Sequence, residues 1–303
     1  MGIVFYQEPK LERPHMVVSW PGIGNIGIIA VDTLREQTRA QELAEIEPWD
    51  FFYPQRVVIK GGLLTDLTFP RNKFYYQRLD GKDFIIFIGE EQPAAAGRGY
   101  AEGAKAYAMA NLVLDVAQKF NCQRVYTSGA AVSMTHHNLR PRVWAVTNKP
   151  ALVPEIKGYP NTILMSEIEG RGDGSITGLN GLLLGVAKKR GFDGVCLMGE
   201  IPDYLSQAPF PYPRASKSVI EVLSGIIGLK IDLGGLDGMI GQIDEVVDNI
   251  FEQFPADIKE RIDQRKSIIP AKSETITPED EKWLKEHIDE FFRKGGRGDE
   301  RAV

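Results

Sequence analysis

Apolar positions along the chain follow two rhythms, and the switches between them outline the elements. Residues 16–20, MVVSW, form a continuous apolar run, as in a strand buried on both faces. The turn PGIGN follows, and then a helix over about 25–37. RVVIKGG (56–62) reads as a strand. In KFYYQRLDGKDFIIFIGE two β-rich runs flank Asp80-Gly81, which predicts a tight antiparallel hairpin over 74–88. Residues 97–120 repeat at helical spacing, with Met109, Val113, Val116 and Phe120 on one face.

Further along, RVYTSGAAVS (124–133) reads as a strand ending in a small-residue turn, and RVWAVTN (142–148) and TILMSEI (162–168) as further strands. GRGDGSITG (170–178) is a glycine-rich loop that feeds the helix LNGLLLGVAKKRG, closed by Gly191. GVCLMGEI (194–201) is a strand ending in acid. From Ser216 the pattern is helical to about Gln264, broken near DLGGLDG, and 266–274 reads as a linker. A last helix is expected after Thr277 as N-cap and Pro278 at its first position, with Trp283, Leu284, Ile288, Phe291 and Phe292 as its apolar stripe and a mobile end after it.

Strands alternating with helices predict an α/β fold, and the hairpin makes its sheet mixed. The expected organisation is an α/β core over 1–215, a helical region over 216–265 packed on it, and a linker with a C-terminal helix and mobile tail over 266–303. No internal repeat is visible.

Composition narrows the function classes. The 303 residues carry a net charge of −5, against the cationic surplus that phosphate backbones demand, so no nucleic-acid partner is expected. Cys122 and Cys196 each lie beside an expected strand in apolar company and read as buried free thiols. The opening MGIVFYQEPKLERP lacks the charged-then-apolar order of a signal peptide, and no apolar run reaches the roughly 20 residues a membrane span needs. A cytoplasmic location without membrane contact is the expectation.

Gly22, Gly24 and Gly27 fit G-x-G-x-x-G after a strand and before a helix, with Glu42 and Glu45 about 20 residues on. In a dinucleotide fold such glycines make the turn, admit a pyrophosphate and let helix and strand close up. That fold also needs a second parallel strand ending in the acid. QELAEIEPWDFFYP leaves little room for one and carries Pro48, so the turn reads instead as a strand-to-helix junction capped by Asn25, lining a cleft. No cofactor is expected, and a dinucleotide oxidoreductase remains a third reading.

Clefts in open α/β sheets lie beyond strand C-termini. Glu90 and Glu91 follow one strand and Glu200 another, so carboxylates there could work as acid and base. Ser128 in YTSGAA lacks the G-x-S-x-G nucleophile context, and the 170–178 loop lacks G-K-[ST]. His136 and His137, if on a strand, would point to opposite faces, and no metal role is expected. Asn180 reads as a helix cap. The residues converge on a cleft of Gly22, Gly24, Asn25, Gly27, Glu90, Ser128, Gly129 and Glu200, without a catalytic set.

SWPGIGNIGIIAVDTL, FIIFIGEEQP, VYTSGAA and ITGLNGLLLGVAKKRGFDGVCLMGEIPDY, in this order over about residues 15–265, resemble the proteasome-assembly-chaperone family of the second type, some of whose members carry a loose ATP-grasp label. The resemblance implies a three-layer α/β/α, phosphorylase-like fold with a mixed sheet and C-terminal helices. It also implies a homo-oligomer, a trimer or higher multiple, and binding to proteasome α-type subunits in some members. Some archaeal relatives dock through a hydrophobic-Tyr-any tail, whereas this sequence finishes Arg301-Ala302-Val303. The expectation is a non-enzymatic assembly-chaperone-like protein. The alternative is a protein that binds, or an enzyme that acts on, a nucleoside, nucleotide or phosphate in the cleft.

Overall fold

The computed structural model describes residues 2–79, 81–93, 103–165 and 174–266. Residues 267–274 of the expected linker, the final helix and tail, residues 166–168 of the expected 162–168 strand, residues 170–173 of the 170–178 loop and the start of the helix expected from 97 lie outside these residues, as does Asp80 of the hairpin turn.

The strands are β1 (Ile3–Phe5), β2 (His15–Ser19), β3 (Gln41–Ile46), β4 (Arg56–Lys60), β5 (Leu63–Thr68), β6 (Asn72–Leu79), β7 (Lys82–Gly89), β8 (Arg124–Ser133), β9 (Val143–Thr147), β10 (Thr162–Leu164) and β11 (Gly194–Pro202). The helices are α1 (Ile26–Gln37), α2 (Gly103–Lys119), α3 (Val153–Lys157), α4 (Gly178–Lys189), α5 (Pro213–Ile227), α6 (Gly234–Glu252) and α7 (Ala256–Asp263).

One nine-stranded sheet runs β1-β3-β6-β7-β2-β8-β11-β9-β10. Its centre, β7-β2-β8-β11, is parallel, and the flanking pairs β3–β6, β6–β7 and β9–β11 are antiparallel, so the sheet is mixed. The expected hairpin is β6–β7, with Leu79 opposite Lys82.

Side-chain alternation divides the core in two. Val17, Phe84, Ile86 and Tyr126 point to the face covered by α1, α3, α5, α6 and α7. Met16, Val18, Ile85, Phe87 and Val125 point to the face covered by α2 and α4. Central strands covered on both faces must be apolar at every position, which is why MVVSW and FIIF read as unbroken runs. The fold is therefore an α/β/α sandwich. Val247, Ile250, Phe251, Ile258 and Ile262 of α6 and α7 share one apolar cluster with the sheet. Among the described residues no helix is long and apolar enough to cross a membrane.

Residues 41–46, in the segment that leaves little room for a second parallel strand, form β3. It runs antiparallel to β6 with a bulge between Glu42 and Ala44, so it is not the second parallel strand of a dinucleotide fold. Glu42 holds Lys73 (2.6 Å) and Glu45 accepts from the Tyr6 hydroxyl (2.6 Å), with two strands between them and β2.

A second, two-stranded sheet pairs β4 with β5 alone. It leaves the body between β3 and β6. Its base is held by the edge-to-face stack of Trp49 on Phe69 (4.6 Å) and by the bond from Gln55 N to the Thr68 carbonyl (2.7 Å).

Candidate functional site

The glycine turn spends its three glycines differently. At Gly22 the backbone is extended and a Cβ would meet nothing within 4 Å. Gly24 has φ +58°, and its would-be Cβ lies 3.0 Å from Tyr212 Cβ and 3.1 Å from Ile201 Cδ1. Its carbonyl accepts from Tyr212 N–H (2.8 Å). The close approach at Gly24 is thus to the protein's own α5 entrance. At Gly27 a Cβ would lie 2.5 Å from the Ser128 carbonyl oxygen and 2.7 Å from Ser19 Oγ, so this glycine lets α1 pack onto β8 and β2. Asn25 does stand at the N-cap position of α1, but with φ +49° and no side-chain bond to the helix. The expected capping bond is not made.

Ser128 and Gly129 are neighbours on β8 and point to opposite faces. Gly129 faces α4, with Asn180 Nδ2 3.9 Å from its would-be Cβ, and Ser128 faces α1. Ser128 Oγ and Asn180 Oδ1 are buried and have no hydrogen-bond partner among the described residues. Asn180 is not a cap: Thr177 precedes α4, and Asn180 sits inside its first turn.

Glu200 ends β11 and is 1% exposed. Its carboxylate accepts from Arg142 Nη2 (2.7 Å), Arg142 Nε (3.0 Å), the Arg142 backbone N–H (3.0 Å), Trp144 Nε1 (2.9 Å) and Ser133 Oγ (3.2 Å). Burial pushes its pKa up, but the Arg142 guanidinium and the other donors outweigh burial and hold it below the ordinary value. A carboxylate locked in its charged form by five donors is a poor general acid.

Glu90 lies beyond the end of β7, exposed. Its carboxylate accepts from Arg71 N–H (2.9 Å), and its own N–H returns a bond to the Arg71 carbonyl (2.9 Å). Three strand spacings separate β7 from β11, roughly 14 Å, so Glu90 and Glu200 cannot share a proton. The structure brings Gly24, Asn25 and Gly27 together with Ser128, and Gly129 together with Asn180. Glu90 and Glu200 stand apart, near the C-terminal ends of β7 and β11.

The sequence reading passed over the group that joins the two helix-bearing turns. Gln92 donates from Nε2 to the Pro21 carbonyl (2.6 Å) and accepts at Oε1 from Leu179 N–H in α4 (3.0 Å). It fastens the glycine turn to α4. Its only sequence signal is its place after a strand-end carboxylate pair.

His136 and His137 would point to opposite faces only if they lay on a strand. They occupy the turn after β8, and their rings stack with centroids 4.1 Å apart. His136 Nε2 lies 3.2 Å from an Asp263 carboxylate oxygen, and His137 Nε2 3.1 Å from Asp248. Tyr204 OH meets His137 Nδ1 (2.7 Å), and Phe251 stacks edge-on against both rings. This cluster pins α6 and α7 to the end of β8. Burial, then the neighbouring His137, holds His136 down to about 4. Among the described residues no group of three or more His, Cys, Asp or Glu is placed to hold a metal ion. Burial pushes the Cys122 thiol up to about 12 and Cys196 to about 11, so both are unreactive thiols at neutral pH.

Glu200, Gln92 and His137 thus spend their polar groups on neighbouring side chains and backbone, as parts of the architecture. Among proteins of known structure, the chain is similar to PbaB of Pyrococcus furiosus, an archaeal proteasome activator. The two are 28% identical, with a TM-score of 0.69 over 82% of this chain and 98% of that one. PbaA of the same organism, an archaeal homologue of proteasome-assembly chaperone, shares the fold at 22% identity, with a TM-score of 0.61 over 88% of this chain and 97% of its own. An uncharacterized protein of Methanocaldococcus jannaschii is 25% identical over 79% of this chain and 84% of its own length. The model of the PAC2 family matches residues 16–250, most of the sandwich just described, and the chain belongs to the PAC2 family.

Proposed function

We propose that this protein is a non-enzymatic, homo-oligomeric assembly factor that binds proteasome α-type subunits. The observation that carries the reading is the likeness to an archaeal proteasome activator, which extends over 98% of that protein at 28% identity. The chemistry of the strand ends supports it. Glu200 is held ionised by five donors, and Gln92 is spent on tying two turns together.

The test is native mass spectrometry on tagged protein drawn gently from its own cytosol. A homo-oligomer carrying proteasome α-subunit mass is the expected result. A species without that mass overturns the proteasome reading.

One observation favours a second reading, a small-molecule site at the strand ends. Asn180 Oδ1, on the α4 face, is buried without a partner among the described residues, as is Ser128 Oγ on the α1 face, and buried polar groups are ordinarily paired. A bound mass of a few hundred daltons, on the order of a nucleotide, would establish that reading. A melting temperature that does not move with nucleosides, nucleotides or phosphate would dismiss it.

A further inference from the structure

We infer that the β4–β5 ribbon is a self-association arm, whose apolar face packs against the same face of a second copy of this chain about a two-fold axis. The inference rests on the homo-oligomeric part of the proposed function and is independent of its proteasome part.

The ribbon is amphipathic in the wrong sense for a surface. Opposed residues of an antiparallel pair share a face. The register Val57–Leu67 and Ile59–Leu64 therefore puts four aliphatic side chains on one side. They are 49%, 37%, 65% and 66% exposed in that order, so no described residue covers them. The opposite side carries Arg56, Val58, Lys60, Asp66 and Thr68, paired as Arg56–Thr68 and Val58–Asp66, with Leu63 opposite Lys60. A bulge at Thr65, whose hydroxyl donates to the Val58 carbonyl (3.1 Å), brings Leu64 onto the apolar face.

A two-stranded ribbon without a cover is marginal in water. Of the 13 exposed large apolar residues among those described, seven fall between Trp49 and Leu67, so the exposure is concentrated here.

The occupant follows from charge. A two-fold contact sets a patch against itself, so a charge near the axis meets its own like and a charge elsewhere needs an opposite partner on the same patch. The apolar face carries none, and Arg56, Lys60 and Asp66 all lie on the other side. A second ribbon supplies matching aliphatic rows with no buried charge to compensate. Being two-fold, the contact makes a dimer, or doubles whatever ring other surfaces build.

The subunit count is read by light scattering, on the full chain. An even count is expected for the wild type, halved in Ile59→Glu and Leu64→Glu and unchanged in Val58→Glu and Lys60→Glu on the opposite face. Single variants Ile59→Cys and Leu64→Cys keep the face apolar, and at least one is expected to give a covalent dimer on mild oxidation, since both native thiols are buried. Three results overturn the inference: an odd or single subunit count, glutamate variants that keep the wild-type mass, or neither cysteine variant cross-linking. Glutamate variants that keep that mass but lose α-subunit capture would make the ribbon a partner surface instead. Loss of capture with the even count intact would strike the proteasome reading and leave the ribbon contact standing.

Discussion

The end of β11 and the β4–β5 ribbon both break the usual sorting of polar from apolar groups, in opposite directions. At Glu200 a charge lies inside the molecule, 1% exposed, and its own chain answers it with five donors. At Ile59 and Leu64 aliphatic groups lie outside, about two-thirds exposed, and no described residue covers them. A buried charge with every lone pair engaged is a finished structural element. An uncovered apolar face leaves free energy available for association.

The largest effect is expected from breaking the finished element. Glu200→Ala strands the Arg142 guanidinium and the buried Trp144 N–H. Removing one partner of such a pair costs roughly 3–5 kcal/mol, and the lower end applies because the Arg142 side chain is 38% exposed. Urea unfolding should show the loss, with Glu200→Gln intermediate because its amide keeps part of the hydrogen bonding. An alanine variant within 1 kcal/mol of wild type would mean that the arginine is satisfied by solvent.

Acid should come next. His136 has a folded-state pKa of about 4 against about 6.5 unfolded, caused first by burial and then by His137. Between those values the unfolded chain binds more protons than the folded one. Its contribution is therefore complete above pH 6.5 and is lost as pH falls towards 4, up to ~3 kcal/mol. His15, also held to about 4 by burial and then Arg124, adds loss of the same sign. The melting temperature should fall through this window. A flat profile from pH 7 to 5 would show that these rings are solvated in the native state.

Within the glycine turn the comparison sharpens to a few residues. Gly27→Ala drives a methyl to 2.5 Å from the Ser128 carbonyl oxygen, where rigid backbone must give way, and overpacking of this kind costs about 1–3 kcal/mol. Gly22→Ala meets open space on extended backbone and should stay within ~0.5 kcal/mol. Equal losses at both positions, compared by thermal melting, would return the motif to a single shared role.

These differences track what was legible beforehand. The strand, glycine turn and helix over 16–37, the hairpin about Gly81 and the strand at 124–133 are local patterns, and the structure has them within a residue or two. β3 was not legible because QELAEI places Glu at two of its six positions, and only pairing with β6 across the sheet makes it a strand. β5 was hidden by its bulge, since Leu63-Leu64 breaks the period of two. At the site, Glu200 was visible as acid at a strand end, but Arg142 lies 58 residues away and no spacing rule joins them. The same holds for Gln92 and Leu179, 87 residues apart. Asn25 and Asn180 follow capping statistics in sequence, while tertiary packing gives their side chains other surroundings.

The smallest effect on the fold, and the most telling, is expected at the ribbon. Leu64 is already 66% exposed, so Leu64→Ser removes little that the isolated chain buries, and β4–β5 keeps its backbone ladder. At concentrations where copies separate, its unfolding free energy should lie within ~0.5 kcal/mol of wild type. Association adds stability by mass action, so the wild-type melting temperature should climb with protein concentration. In Leu64→Ser that climb should shrink, because the same side chain counts only when a second copy covers it. Glu200→Ala should do the reverse, lowering the melting temperature at every concentration by a similar amount. Parallel concentration curves for wild type and Leu64→Ser would mean that the ribbon takes no part in joining copies.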